Sequence, residues 1–304
     1  MATGRSRGAR VQPWQVVESV ETEAGRLELR LRGERDFLIT IAGRVLMNSA
    51  ARRSEEALAA IACAPLARRA GLRVLIGGLG MGITLRVALD TLPRDARVVV
   101  AELHATVVEW CRGPLAAITD GSLDDPRVRI ECTDVAEVIG RAADGPDSER
   151  FDAILLDLYE GPREANRDRG DAFYGAAALA TARRALAPRG RLAVWAEDPD
   201  TAFERRLRRS GFDVEAHRAG RGGRRHVVYA AVAHTRQPSP CGTVAGSLVQ
   251  GARKRDVDAV SSRAAPRPAW IFRARSKRSS SLSRRLGSGT QQSIGQASAH
   301  CCES

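Results

Sequence analysis

Between Arg73 and Ala196 short apolar runs alternate with helix-like segments, and the first run ends in Gly77-Gly-Leu-Gly-Met-Gly82. A strand that breaks into glycines and resumes as a helix needs a backbone free to turn tightly and to approach its neighbours without a Cβ. That punctuation constrains the fold more than any bulk property of the chain. Strands are predicted over Arg73–Gly77, Arg97–Leu103, Val128–Cys132, Phe151–Leu158 and Arg191–Ala196. Helices fill the gaps at Met81–Leu92, Ala105–Arg112, Val135–Ala142 and Phe173–Leu186. Runs such as Val98-Val-Val-Ala101 and Ala153-Ile-Leu-Leu156 carry no charge, which suits parallel strands covered on both faces.

A further helix at Thr201–Ser210 precedes two apolar runs, Phe212–Ala216 and His226–Ala233. Their connection, Arg218 to Arg225, is too short for a crossover helix, so the two should pair antiparallel. The expected fold class is therefore α/β. Five parallel strands with a terminal antiparallel hairpin outline a methyltransferase-type Rossmann-like sheet.

Ahead of it, residues 1–50 read as a small antiparallel β segment. Its candidate strands are Trp14–Val20, Arg26–Leu31 and Phe37–Ile41, with turns at Glu23–Gly25 and Gly33–Arg35. Ser54 is expected to cap a helix with Glu55 and Glu56 in its first turn and Leu58, Ile61 and Leu66 on its apolar face. The Rossmann-like domain is then expected to span 51–235.

The formal charge of +12 suggests a polyanionic partner, but its distribution does not. Residues 1–235 carry 36 basic and 33 acidic side chains, a balance of +3, whereas residues 236–304 carry 12 and 3, a balance of +9. The 236–304 tail holds 13 serines, both lysines (Lys254 and Lys277) and the run Arg273 to Arg285, a composition of solvated, disordered chain. Any nucleic-acid contact belongs to that tail. The longest uncharged stretch of the body, Val74 to Leu85, is far short of a membrane span, and no signal peptide is visible. Cys63, Cys111 and Cys132 lack C-x-x-C spacing and read as buried thiols. The five histidines show no metal spacing, so no metal and a cytoplasmic setting are expected.

Gly78, Gly80 and Gly82 form G-x-G-x-G. The dinucleotide pattern G-x-G-x-x-G needs glycine at 83, where Ile83 stands, which favours a ligand held by its nucleoside rather than its pyrophosphate. Packing alone is the competing explanation. Glu102, twenty residues past Gly82, ends the second strand, where a carboxylate accepts hydrogen bonds from both ribose hydroxyls. Asp134 follows the third strand and suits either an adenine amine or the cap of the next helix. Asp157, Tyr159 and Glu160 lie in the loop after the fourth strand, in the crevice where open α/β sheets bind ligands.

Together Gly77–Gly82, Glu102, Asp134, Asp157–Pro162, Asp171-Ala-Phe-Tyr174 and Trp195-Ala-Glu-Asp-Pro199 resemble the spermidine synthase (polyamine aminopropyltransferase) family, over roughly Val17 to Ala233. The resemblance implies decarboxylated S-adenosylmethionine as co-substrate, with methylthioadenosine as product. It implies ribose binding by Glu102, adenine binding by Asp134, and Asp157 as the base that frees an amine nucleophile. It also implies a small-molecule amine acceptor and a homodimer. Departures are equally clear. The family's loop reads G-G-G-D-G and its fourth-strand motif D-S-T-D-P, against Asp157-Leu-Tyr-Glu160 here. Ser54 and Glu55 occupy the family's acceptor-site Tyr-His pair, and Leu46 and Met47 the neighbourhood of its gate glutamine.

Three readings follow. The first is an aminopropyltransferase-like enzyme. The second is a methyltransferase using S-adenosylmethionine on the same scaffold, with Tyr159 facing the acceptor. The third is a non-catalytic nucleoside-fold binding protein.

Overall fold

A computed structural model describes residues 12–159, 161–162, 171, 173–219 and 226–234. Glu160, most of the connection after Ala219 and the 236–304 tail lie outside the described residues.

Four strands, β1 (Gln15–Thr22), β2 (Gly25–Arg32), β3 (Asp36–Ile41) and β4 (Arg44–Asn48), form an antiparallel sheet in the order β1-β2-β3-β4. β4 was not anticipated. It returns through Ala42 and Gly43, at φ 47° and 76°, a tight two-residue turn whose only sequence mark is one glycine.

The second sheet has seven strands: β5 (Arg73–Gly77), β6 (Arg97–Ala101), β7 (Val128–Glu131), β8 (Phe151–Leu156), β9 (Leu186–Ala196), β10 (Phe212–Ala219) and β11 (His226–Ala233). Their order is β10-β11-β9-β8-β5-β6-β7. β7, β6, β5, β8 and β9 run parallel, and β11 pairs antiparallel with both β9 and β10. The expected five parallel strands with a terminal hairpin are all present. The order reverses at β5, so the crevice at the carboxyl ends of β5, β6 and β8 is the switch point where such sheets take ligands.

Helices α1 (Arg53–Cys63), α2 (Ile83–Thr91), α3 (Ala105–Arg112) and the short α4 (Ala116–Thr119) precede α5 (Val135–Asp144), α6 (Ala176–Ala185) and α7 (Thr201–Arg209). Alternate residues of the central strands enter two separate cores. Val74, Ile76, Ala153, Leu155 and Ala193 pack with the residues of α1 to α3, and Leu75, Ile154, Leu192 and Val194 with those of α5 to α7. This two-sided burial explains why β5, β6 and β8 read as unbroken apolar runs.

Three local expectations are corrected. Ser54 is not a cap; it lies inside the first turn of α1, and its Oγ donates to Glu55 Oε2 at 2.7 Å. α6 begins at Ala176 rather than Phe173, because Asp171 Oδ1 accepts from the N–H groups of Phe173 and Tyr174 (2.8 and 2.7 Å) and holds that stretch in a turn. Cys132 is exposed just past edge strand β7, whereas Cys63 and Cys111 are buried, with burial pushing both thiols up to about 12.

Candidate functional site

The glycine loop takes its shape from the atoms packed around it. Gly78, Gly80 and Gly82 have φ of 88°, 53° and 72°, in the left-handed region that side chains resist. A Cβ on Gly78 would stand 2.5 Å from the carbonyl oxygen of Asp157; on Gly80, 2.8 Å from Met47 Sδ; on Gly82, 2.8 Å from Thr119 Cγ2. Protein packing therefore accounts for all three glycines. The loop's N–H groups are also largely spent internally. Gly78 donates to the Ala101 carbonyl (2.9 Å), Leu79 to Glu102 Oε2 (2.9 Å), Met81 to Met47 Sδ (3.1 Å) and Gly82 to the Leu79 carbonyl (2.8 Å). Phosphate cradles need such groups free, and here most of them are taken.

Replacing Gly78 by alanine forces a Cβ against backbone in a conformation that costs about 1–2 kcal/mol before any clash. Gly78→Ala is expected to lower the melting temperature by several degrees. Gly140→Ala, in the middle of α5 with nothing within 4 Å of the new Cβ, is expected to raise stability by up to about 1 kcal/mol. Thermal denaturation of the two variants checks both signs.

Glu102 is not a solvated strand-end acid: it is 7% exposed. Its Oε2 accepts from the Leu79 N–H in the loop and its Oε1 from the N–H of His104 (2.9 Å each), so one carboxylate ties β6 to the turn after β5. Each oxygen keeps a second lone pair. The next residue, Leu103, is 64% exposed.

Asp157 stands on the other side of the loop. Its N–H donates to the Gly77 carbonyl (2.9 Å) and its Oδ2 accepts from Thr84 Oγ in the first turn of α2 (2.5 Å). Burial, followed by the charge of nearby Glu55, pushes this carboxyl up to about 7, against the Thr84 hydrogen bond, which lowers it. Thr84 was missed in the sequence. Its signal is slight: a hydroxyl two residues past the last loop glycine on an otherwise apolar face.

Asp134 caps α5, with Oδ1 accepting from the Ala136 N–H (2.8 Å), so the capping role is realised. Burial raises its pKa. It reaches the same edge because the next residue, Val135, packs on Gly77. Tyr159 is half-buried with the Arg44 guanidinium 5.6 Å from its ring centroid, which ties the loop after β8 to β4. The carboxyl edge thus gathers Gly78, Gly80, Gly82, Glu102, Asp134, Asp157 and Tyr159. Glu160 lies outside the described residues.

Fold and edge define a class: a Rossmann-like α/β protein of methyltransferase topology with Glu102, Asp134 and Asp157 following the strands around its switch point. Within that class the motif resemblance to the spermidine synthase family holds in both sequence and fold. The chain is 35% identical over 147 residues to the polyamine aminopropyltransferase of Mycobacterium tuberculosis, covering 46% of this chain and 27% of that protein. It is 36% identical over 109 residues to the polyamine aminopropyltransferase of Nitrosomonas europaea, covering 35% and 30%. The matched stretches thus span less than a third of those relatives. The structure of spermidine synthase from Thermotoga maritima superposes with a TM-score of 0.57 at 19% identity over 73% of each chain. A spermidine synthase in complex with the transition-state analogue AdoDATO matches with the same values. No protein-family model matches the chain. Among the described residues no helix is long and apolar enough to cross a membrane.

Proposed function

We propose that the chain is a spermidine synthase-like transferase that takes decarboxylated S-adenosylmethionine at the glycine loop and moves its aminopropyl group to an amine. The observation that carries this reading is the pair of acids flanking the loop: Glu102, pinned to the Leu79 N–H, and Asp157, pinned to Thr84 with its carboxyl raised to about 7. Glu102 offers its remaining lone pairs to ribose hydroxyls, exposed Leu103 lies beside it for the base, and Asp134 keeps one oxygen for the adenine amine.

The chemistry asks little of the protein beyond placement. An amine held at Asp157 gives its proton to that carboxylate and attacks the carbon next to the sulfonium. The C–N bond forms as the C–S bond breaks, and sulfur keeps the electron pair as methylthioadenosine. A carboxyl poised near 7 suits a general base at neutral pH, and positioning supplies most of the acceleration because the sulfonium is already a good leaving group.

Methyl transfer from S-adenosylmethionine is the second reading. It is favoured by one feature: the loop holds buried, apolar Leu79 and no acid to meet an aminopropyl ammonium. Calorimetric titration with the decarboxylated donor, S-adenosylmethionine and methylthioadenosine decides between them. Tighter binding of the decarboxylated donor is expected. Preference for the carboxylated form would overturn aminopropyl transfer in favour of methyl transfer.

A further inference from the structure

We infer that Met47 and Cys111 are positioning residues for nucleoside binding, their two sulfur atoms fixing the Gly80–Met81 peptide of the glycine loop; the inference rests on the transferase reading above.

A loop built on Gly78, Gly80 and Gly82 has little side chain to anchor it, and glycine gives up more conformational freedom on ordering than any other residue. Its shape therefore depends on where its backbone groups find partners. Gly78 and Gly82 donate to backbone carbonyls and Leu79 to Glu102, whereas the Gly80–Met81 peptide is held by sulfur at both ends. Its N–H donates to Met47 Sδ (3.1 Å), and its carbonyl oxygen accepts from Cys111 Sγ (3.3 Å). In a trans peptide these two groups point in opposite directions, so Met47 of β4 and Cys111 of α3 hold one plane from its two edges.

Each grip has a further support. Met47 Sδ and Cε would lie 2.8 and 3.4 Å from a Cβ on Gly80, so the thioether is packed against the loop as well as bonded to it. Cys111 is buried, and that burial, followed by the charge of Glu102, pushes its thiol up to about 12. It therefore keeps its proton and stays a donor to Gly80 at neutral pH.

The held peptide sits between the two parts of the loop that matter for a nucleoside. On one side Leu79 donates its N–H to Glu102 Oε2, the carboxylate assigned to the ribose. On the other, Gly82 opens α2 and donates back to the Leu79 carbonyl. Turning the Gly80–Met81 plane displaces Leu79 and with it the partner of Glu102. The two sulfurs thus preorganise the loop, so that less ordering remains to be done when a nucleoside binds.

The test measures methylthioadenosine affinity by calorimetry, and melting temperature, on the full chain. Met47→Leu keeps the volume and removes the acceptor; Cys111→Ala removes the donor. Each is expected to weaken binding about 2- to 5-fold. Because both residues hold the same peptide, the double variant should lose less than the product of the two single losses. Cys111→Ser keeps a donor and should bind within about twofold of wild type, even though its buried hydroxyl lowers the melting temperature. Unchanged affinities, affinities that simply follow melting temperature across the set, or single losses that multiply in the double variant would overturn the inference. Met47→Leu carries the test alone if the Cys111 variants fold poorly. Weaker binding at an unchanged melting temperature supports the inference, and unchanged binding overturns it. A wild type that binds no methylthioadenosine would overturn the nucleoside reading, and the inference with it.

Discussion

Glu102→Ala is expected to abolish nucleoside binding, with at least about a hundredfold loss of methylthioadenosine affinity by calorimetry. Two effects add. The ribose loses its carboxylate, a charge-assisted interaction of about 1.5–3 kcal/mol. The N–H groups of Leu79 and His104 also lose their acceptors, and the Leu79 N–H is held in the loop itself. A buried donor left unpaired costs about 1–3 kcal/mol, so the variant should melt several degrees lower as well. Glu102→Gln separates the two effects. Its single oxygen can serve Leu79 or His104 but not both, so its stability should fall between wild type and Glu102→Ala. Unchanged nucleoside affinity in a folded Glu102→Ala would overturn the ribose assignment.

Asp157→Asn is expected to cut turnover by about 10²–10⁴, the usual range for a positioned base, while methylthioadenosine still binds. Its effect on stability should have the opposite sign. Folding raises the Asp157 carboxyl from the ordinary carboxylate range to about 7, so the folded protein prefers the protonated form. Whatever stability that proton contributes is present at acidic pH and is lost as pH rises through 7. At pH 8 the wild type must hold a buried carboxylate, whereas asparagine holds a neutral amide and can still accept from Thr84. The variant should therefore melt a few degrees higher than wild type at pH 8 and gain nothing at pH 4. In the wild type, kcat/KM should climb through about pH 7 as the base loses its proton. Wild-type turnover in Asp157→Asn would remove Asp157 from the chemistry. A protein that only binds would keep its ligand and show no turnover in either form.

Both predictions turn on acids whose places, though not whose contacts, are legible in the sequence. The apolar runs place β5, β6, β8 and β9 within a few residues, because each sends side chains into both cores and so carries an uncharged stretch, whereas edge strand β7, Val-Arg-Ile-Glu, packs on one core only. Boundaries fail where a single side chain intervenes. Asp171 delays α6, and an Ala-Gly turn hides β4 behind β3.

The sequence by itself determined the glycine-broken β5–α2 junction, the strand-end position of Glu102 and Asp157, and the division of charge between a body at +3 and a tail at +9. Residue spacing along one chain suffices for these, because period and punctuation are local. Only the tertiary structure decided that Glu102 grips the loop through Leu79, that Thr84 holds Asp157, and that Met47 of the first sheet lies against Gly80. Those contacts join residues 23 to 73 positions apart. They arise from how the helices and the first sheet pack over the switch point, and nothing in the spacing of a single chain encodes that packing directly.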